Sequence, residues 1–348
     1  MRFIKQGKLF VFDNYHAHCN MYTMTLHERK PEEPFGLIPQ GTMELSPEVA
    51  LYRHLMKSGY PRQQSSAGIV WLGTNTLWFR APDVSILIDP YFSRLPVRNL
   101  NTILFKSIQP DNPRISVALH QFGISELTAI LLTHTHLDHA LDVPHIAQMT
   151  GTQYLLAPPL LARYYRKNRE SFQVIDSSTL DTIELNGIRI TIHKGRHMPF
   201  ILPIYNMESW FNGLQTASHL PEHVWSYTAD ALYSYKLDFG NQSFFITGSA
   251  GLPCSALQGI EADIVILSVG GLDMLPGKYC DQVLSEMVDS LHPREVWLSH
   301  WDDFTIPLDK PIKWLGKANR IVDYIVSQNR SKGLSTYVLP PGKPVGVG

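Results

Sequence analysis

The sequence predicts an α/β protein. Apolar runs of strand length recur from Gly68 onward, helix-length amphipathic stretches are interleaved with them, and several runs end on histidine or a carboxylate. The first two observations describe strands crossed over by helices. The third places chemistry at strand ends, where open α/β sheets carry their function. A chain of 348 residues is long enough for one large α/β domain or two small ones. Its 44% hydrophobic and 18% charged content is that of a globular protein and excludes a disordered one. A formal net charge of −1 argues against a broad nucleic-acid-binding face, and a small-molecule substrate is expected instead. Cys19, Cys254 and Cys280 are odd in number and far apart, so no disulfide framework is expected. No apolar run reaches the length of a bilayer span, and Met1 to Asn20 lacks a signal-peptide core. A cytoplasmic protein is expected, unless a leader was removed. Oligomeric state is not legible.

Residues 1–66 read as an N-terminal extension packing on the core, and 67–348 as the main domain. Lys8 to Phe12 suits a short strand, and Ser46 to Lys57 a short helix opening with a cap and a Pro at its first position. His16 and His18 tempt as a metal site, but lack spaced partners and suit a terminal arm better. Ile69 to Gly73, Thr76 to Arg80 and Ser85 to Pro90 are strands joined by short turns, an antiparallel meander. Residues 91–126, with Pro96, Pro110 and Pro113, read as a long irregular loop. Then come a strand at Ala129 to Leu132, a helix around Asp142 to Thr150, a strand at Thr152 to Leu156 and a basic helix at Pro159 to Glu170. Asp142 and His145 suit a solvated helix face. Asn186-Gly187 between Thr182–Leu185 and Ile188–His193 marks a type I′ hairpin. An aromatic-rich insertion near 199–231, with His219 and His223, suits an apolar substrate wall. Tyr233 to Phe239 and Ser243 to Thr247 form another hairpin. A strand at Asp263 to Gly270, a helix at Tyr279 to Leu291, a strand at Glu295 to Ser299, a helix at Lys317 to Gln328 and an edge strand at Ser335 to Leu339 precede a Pro/Gly tail.

The Ala129–Leu132 run stops at His134, His136, Asp138 and His139, four metal-type ligands within six residues. Three imidazoles and a carboxylate this close are costly to leave unpaired, and a divalent cation satisfies them together. His134 and His136 are two apart, so in a chain leaving a strand they point the same way. Asp138 and His139 fall where the chain bends into a helix and face a second point nearby. A His-rich surface loop is the plainer alternative.

This run resembles the His-x-His-x-Asp-His signature of the metallo-β-lactamase superfamily. The resemblance implies a four-layer αββα sandwich with the metal site at its rim. Trp71-Leu72-Gly73 followed by Ile86 to Pro90 resembles the opening of the branch that includes ascorbate-6-phosphate lactonase and the N-acylphosphatidylethanolamine-type phospholipase D. In that family the aspartate at the strand end, here Asp89, braces the metal loop by hydrogen bonds. The resemblance further implies His197, over its competitor His193, as third ligand beside His134 and His136. It implies His300 as the last ligand, beside Asp138 and His139.

One position departs from the family. The expected Gly-Asp, whose carboxylate bridges two metals, is Gly248-Ser249. A neutral hydroxyl replaces that carboxylate in neither charge nor reach, so one tight ion and a second weak or absent one are expected. Asp302 or Asp303 is a conjectured compensating carboxylate. The implied chemistry is hydrolysis by a hydroxide generated at the metal, acting on a lactone, ester or phosphodiester of a partly apolar molecule. Asp138 is a ligand or, with the second metal missing, the general base. Zinc suits these ligands, with manganese, iron or nickel as alternatives. Lys194, Arg196 and the basic cluster at 163–169 are candidates to receive an anionic group. The competing readings are a binding or sensing protein weakened in turnover, and a mononuclear-iron redox relative.

Overall fold

In the computed structural model of the protein, the described residues are 43–58, 67–96, 107–167, 171–199, 227, 231–239, 241–255, 257 and 259–346, together with the backbone of three short strands near the N-terminus. The chain divides into two compact units, 1–37 and 38–348. In the smaller unit β1 (Arg2–Lys5), β2 (Lys8–Val11) and β3 (Tyr22–Thr25) pair as an antiparallel sheet in that order. The His16–His18 pair and Cys19 lie outside the described residues, as does most of the segment 199–231, with His219 and His223.

The larger unit begins with α1 (Pro47–Ala50), followed by β4 (Gly68–Trp71), β5 (Leu77–Ala81), β6 (Val84–Ile88), α2 (Asn112–Phe122) and β7 (Ala129–Leu131). Next come α3 (Leu137–Ala140), α4 (Val143–Thr150), β8 (Tyr154–Ala157), α5 (Pro159–Lys167), β9 (Gln173–Asp176), β10 (Thr182–Leu185) and β11 (Ile188–Arg196). The rest comprises β12 (Leu232–Phe239), β13 (Gln242–Ile246), β14 (Leu252–Pro253), β15 (Ile264–Ser268), α6 (Gly277–Met287), β16 (Glu295–Ser299), α7 (Ala318–Ser331), β17 (Ser335–Val338) and β18 (Pro344–Gly346). These strands build a seven-stranded sheet, β18-β4-β5-β6-β7-β8-β9, and an eight-stranded one, β10-β11-β12-β13-β15-β16-β17 with β14 pairing on β11.

Each sheet is antiparallel in its first half and parallel in its second, the change falling at β6 and at β13. Parallel neighbours need a crossover, and the helices supply it: α5 packs on β8 and β9, and α7 on β17. The two halves of the larger unit thus repeat one plan, a helix-flanked mixed sheet. The sheets meet through their inner faces, where Phe79 of β5 sets its ring 6.0 Å from Phe239 and 5.7 Å from Phe244. Burying each such ring contributes about 1.5–3 kcal/mol. This is the αββα sandwich expected from the sequence.

Two elements differ from expectation. The irregular loop read over 91–126 contains α2. Pro113 lies in its first turn, where a missing N–H costs nothing, and Asp111 caps it by accepting from Arg114 N–H at 3.1 Å. The Pro/Gly tail carries β18, which pairs antiparallel with β4 and closes the edge of the seven-stranded sheet. Residues 43–57 lie on the larger unit: Leu45 bridges Ile312, Met56 bridges Val338, and Lys57 meets Glu295 at 2.6 Å. Among the described residues no helix is long and apolar enough to cross a membrane.

Candidate metal centre

Residues from both halves of the sandwich meet where the strands β6, β7, β11, β13 and β16 end. His136 (φ −62°, ψ 153°) is extended and stands at the N-cap position of α3. The rings of His134 and His136 lie 4.6 Å apart, while Asp138 and His139 ride on the helical turn that follows. One ligand atom from each of His134, His136 and His197 lies within 4.8 Å of the other two, and the same holds for Asp138, His139 and His300. The two groups adjoin, the rings of His134 and His139 standing 4.0 Å apart.

Hydrogen bonds fix which nitrogen of His134 and of His197 faces the centre. His197 Nδ1 lies 2.9 Å from the Met198 carbonyl, so Nδ1 carries the proton and Nε2 the lone pair. His134 Nδ1 lies 3.0 Å from Thr133 Oγ1, which itself donates to Asp89 at 2.6 Å; Thr133 must accept, and His134 Nε2 is left to face the centre. That Nε2 stands 3.0 Å from His136 Nδ1. Two nitrogens each about 2.0–2.1 Å from a tetrahedral ion are about 3.3 Å apart, so the pair is already close to a ligating geometry. In the other group, Asp138 Oδ2 is 3.2 Å from His300 Nε2 and 3.5 Å from His139 Nε2.

Electrostatics suit a cation. Burial, reinforced by the neighbouring imidazoles, pushes His134 and His136 well below the usual imidazole range. Burial takes His197 down to about 4. All three are neutral at pH 7, as ligation requires. Burial works to raise the Asp138 carboxyl, but His139 and the hydrogen bond with His300 outweigh it and hold the group below the usual carboxylate range. Burial likewise opposes a charge on His139, yet the Asp138 and Asp89 carboxylates lift it above the ordinary value.

Asp89 sits fully buried beneath this centre. It accepts from Thr133 N–H at 2.8 Å, from the Thr133 hydroxyl, and from Asn75 Nδ2 at 2.8 Å, and it stands 2.9 Å from His139 Nδ1. The carboxylate thus touches the base of both groups. Gly248 is bare because Thr133 fills the space beside it: a Cβ there would fall 1.9 Å from Thr133 Oγ1. Ser249, next in the chain, is buried on the loop that leaves β13.

Other candidates fall elsewhere. Asp302 is fully buried, but it pairs with Arg94 and accepts from Thr74 N–H at 2.8 Å. Asp303 accepts from the Thr305 amide at 3.0 Å and hydroxyl at 2.6 Å. Both carboxylates are engaged by these partners, and neither belongs to the two donor groups. Asp142 is buried, contrary to the solvated face expected, because it accepts from the Phe92 and Ser93 amides at 2.6 and 2.7 Å. His145 is half-buried on α4, outside the donor groups. His193 stays within β11, its ring 5.3 Å from Phe245. Lys194 and Arg196 are exposed on the same strand, and Arg163, Arg166 and Lys167 on α5.

Thr133, Asn75, Thr74 and Arg94 escaped sequence reasoning. Positive φ marks Thr74 (52°), Asp89 (44°), Arg94 (47°) and His300 (55°), and no residue type advertises that in the sequence.

Known proteins resemble this chain in sequence and fold. A metal-dependent hydrolase from Ruegeria pomeroyi is 26% identical over 133 residues, covering 37% of this chain and 48% of that protein. One from Haloarcula marismortui is 26% identical over 132 residues, with 37% and 45% covered. The chain thus spans about half the length of the curated relatives it matches. A solved structure from Veillonella parvula, described as a possible metal-dependent hydrolase, superposes with a TM-score of 0.50 at 12% identity, over 81% of this chain and all of that one; it supports the fold alone. The family model of the beta-lactamase superfamily domain matches residues 85–301, well over half of the sequence and every donor described above, and the chain belongs to that family.

Proposed function

We propose that this protein is a metal-dependent hydrolase of a lactone, ester or phosphodiester in a partly apolar small molecule, with zinc as the cation. The observation that carries the reading is the convergence of neutral nitrogens from His134, His136 and His197, two of them 3.0 Å apart. Lone pairs so placed repel one another unless a cation or proton lies between them. A dication held there supplies Lewis acidity and brings the pKa of water toward about 7.

The chain's own residues do the rest. Thr133 and Asp89 hold His134 and His139 in the tautomers that turn Nε2 to the centre. Asp138 is ionised at neutral pH and accepts a hydrogen bond from the attacking water. Its low basicity suits orienting that water better than removing its proton. Asp138, His139 and His300 form the weaker of the two metal positions, since Ser249 supplies no charge to share between two dications. We further propose that residues 1–66 extend this domain without joining its chemistry, and that the protein acts in the cytoplasm without nucleic acid. Ser249 also favours a second reading, a binding or sensing protein built on the same centre.

A panel of chromogenic esters, lactones and phosphodiesters tests this, with the zinc-loaded protein beside a His136→Ala control. Turnover that the substitution abolishes supports the hydrolase. A zinc-loaded protein silent across the panel would move the reading to sensing.

A further inference from the structure

We propose that Arg94, acting through Asp302 and Thr74, is the positioning residue that holds His300 over the Asp138–His139 pair; this rests on the metal reading above. His300 follows β16 with φ 55°, a left-handed conformation that a side chain with a Cβ rarely adopts. Something must hold it there. Its amide donates to the Thr74 carbonyl at 2.8 Å, and Trp71 Nε1 donates to the same oxygen at 2.8 Å. Thr74 is itself left-handed at φ 52° and is pinned from two sides: its amide donates to Asp302 Oδ1 at 2.8 Å, and its hydroxyl accepts from Arg94 Nη1 at 3.0 Å.

Arg94 closes the loop. Nη2 donates to Asp302 Oδ2, and Nε donates to the Ile306 carbonyl at 2.8 Å. The guanidinium and the Asp302 carboxylate are 1% and 0% exposed. A planar fork reaching three acceptors in different directions is something a lysine ammonium cannot reproduce. The turn is shaped to admit it: at Gly73 (φ 92°) a Cβ would stand 2.8 Å from Arg94 Nη1. Asp302 lies two residues beyond His300, so the clamp grips the chain at the ligand and just after it. A bridge between Asp302 and Trp314 and the Trp71–Trp301 ring contact at 4.6 Å keep the segment seated.

Of the six candidate ligands the clamp bonds only His300. His134 takes its support from Thr133, itself held by Asp89, and His197 from Met198; Asn75, beside Thr74, reaches Asp89 through its own side chain. Losing the clamp should therefore release His300 and leave the first group intact.

The test is amide hydrogen exchange on the metal-free full chain, compared with Arg94→Lys and Asp302→Asn, followed by Co2+ titration with absorption spectra. Exchange at the His300 amide should speed up by about tenfold or more while residues 132–140 stay as in the parent. Affinity for the second Co2+ equivalent should fall about tenfold or more, with the first changed by less than about twofold. Unchanged exchange at His300, or acceleration spread equally over 132–140, would overturn the proposal. If Arg94→Lys does not fold, Thr74→Ala removes a single link and must give the same local pattern, or the proposal falls. A parent that takes up no Co2+ would refute the metal reading, while the exchange data would still decide the role of Arg94.

Discussion

Replacing Asp89 by asparagine removes one charge and no volume at the residue that underpins both donor groups. Oδ1 accepts from Thr133 N–H, and Oδ2 faces Asn75 Nδ2, the Thr133 hydroxyl and His139 Nδ1. An asparagine that keeps its oxygen toward Thr133 N–H sets its NH2 against three donors. Flipping it sets the NH2 against the Thr133 amide instead. The Thr133 hydroxyl can turn and accept, but Asn75 and His139 lose their acceptor in the first orientation. Two charge-assisted bonds at about 1.5–3 kcal/mol each, partly offset by the turned hydroxyl, put the loss at about 2–4 kcal/mol. Urea unfolding of metal-free protein reads this directly, without the stabilisation a bound ion adds. A loss below about 1 kcal/mol would refute the bracing role. Cation affinity should also drop by about 10–100-fold, as for other residues that orient ligands.

Three further outcomes follow from the same geometry. His197 has a folded value near 4 against about 6.5 when unfolded, and His134 and His136 are also lowered, so the unfolded chain binds more protons in between. Their stabilisation is complete above about pH 6.5 and is lost as pH falls toward 4, by up to about 1.4 kcal/mol per pH unit for each ring. Urea midpoints of metal-free protein that stay flat across that window would count against the neutral triad. Gly248→Ala drives a methyl into Thr133 and should cost about 1–3 kcal/mol or more, measured by thermal unfolding; a neutral result would mean the two loops are further apart. Ser249→Asp should tighten the second metal equivalent in calorimetric titration, and no gain would remove the stated cause of unequal binding.

Much of the centre was legible because its chemistry is dense in the sequence. His134 to His139 announce themselves by spacing after an apolar strand, and Asn186-Gly187 (φ 47° and 80°) forms the turn its residues demand. His197 and His300 were singled out through the family resemblance, with His193 set aside because it lies within its strand. What stayed hidden is tertiary. Asp302 lies two residues from His300 and reads as a candidate donor, yet it faces a buried arginine 208 positions away. Thr74 and Arg94 look like ordinary loop residues until their positive φ is seen. The helix at Asn112–Phe122 was hidden by Pro113 and the nearby Pro110, because proline breaks a helix interior but suits its first turn. The strand at Pro344–Gly346 had no apolar alternation to reveal it; its partner β4 supplies the order.

The central claim, that imidazoles from separate parts of the chain share one cation, is tested most directly by anomalous diffraction at the zinc edge from crystals of zinc-loaded protein. The account predicts a peak about 2.0–2.1 Å from nitrogens of His134, His136 and His197 together. A fully occupied zinc peak elsewhere, or one that leaves any of these three rings uncoordinated, would contradict it.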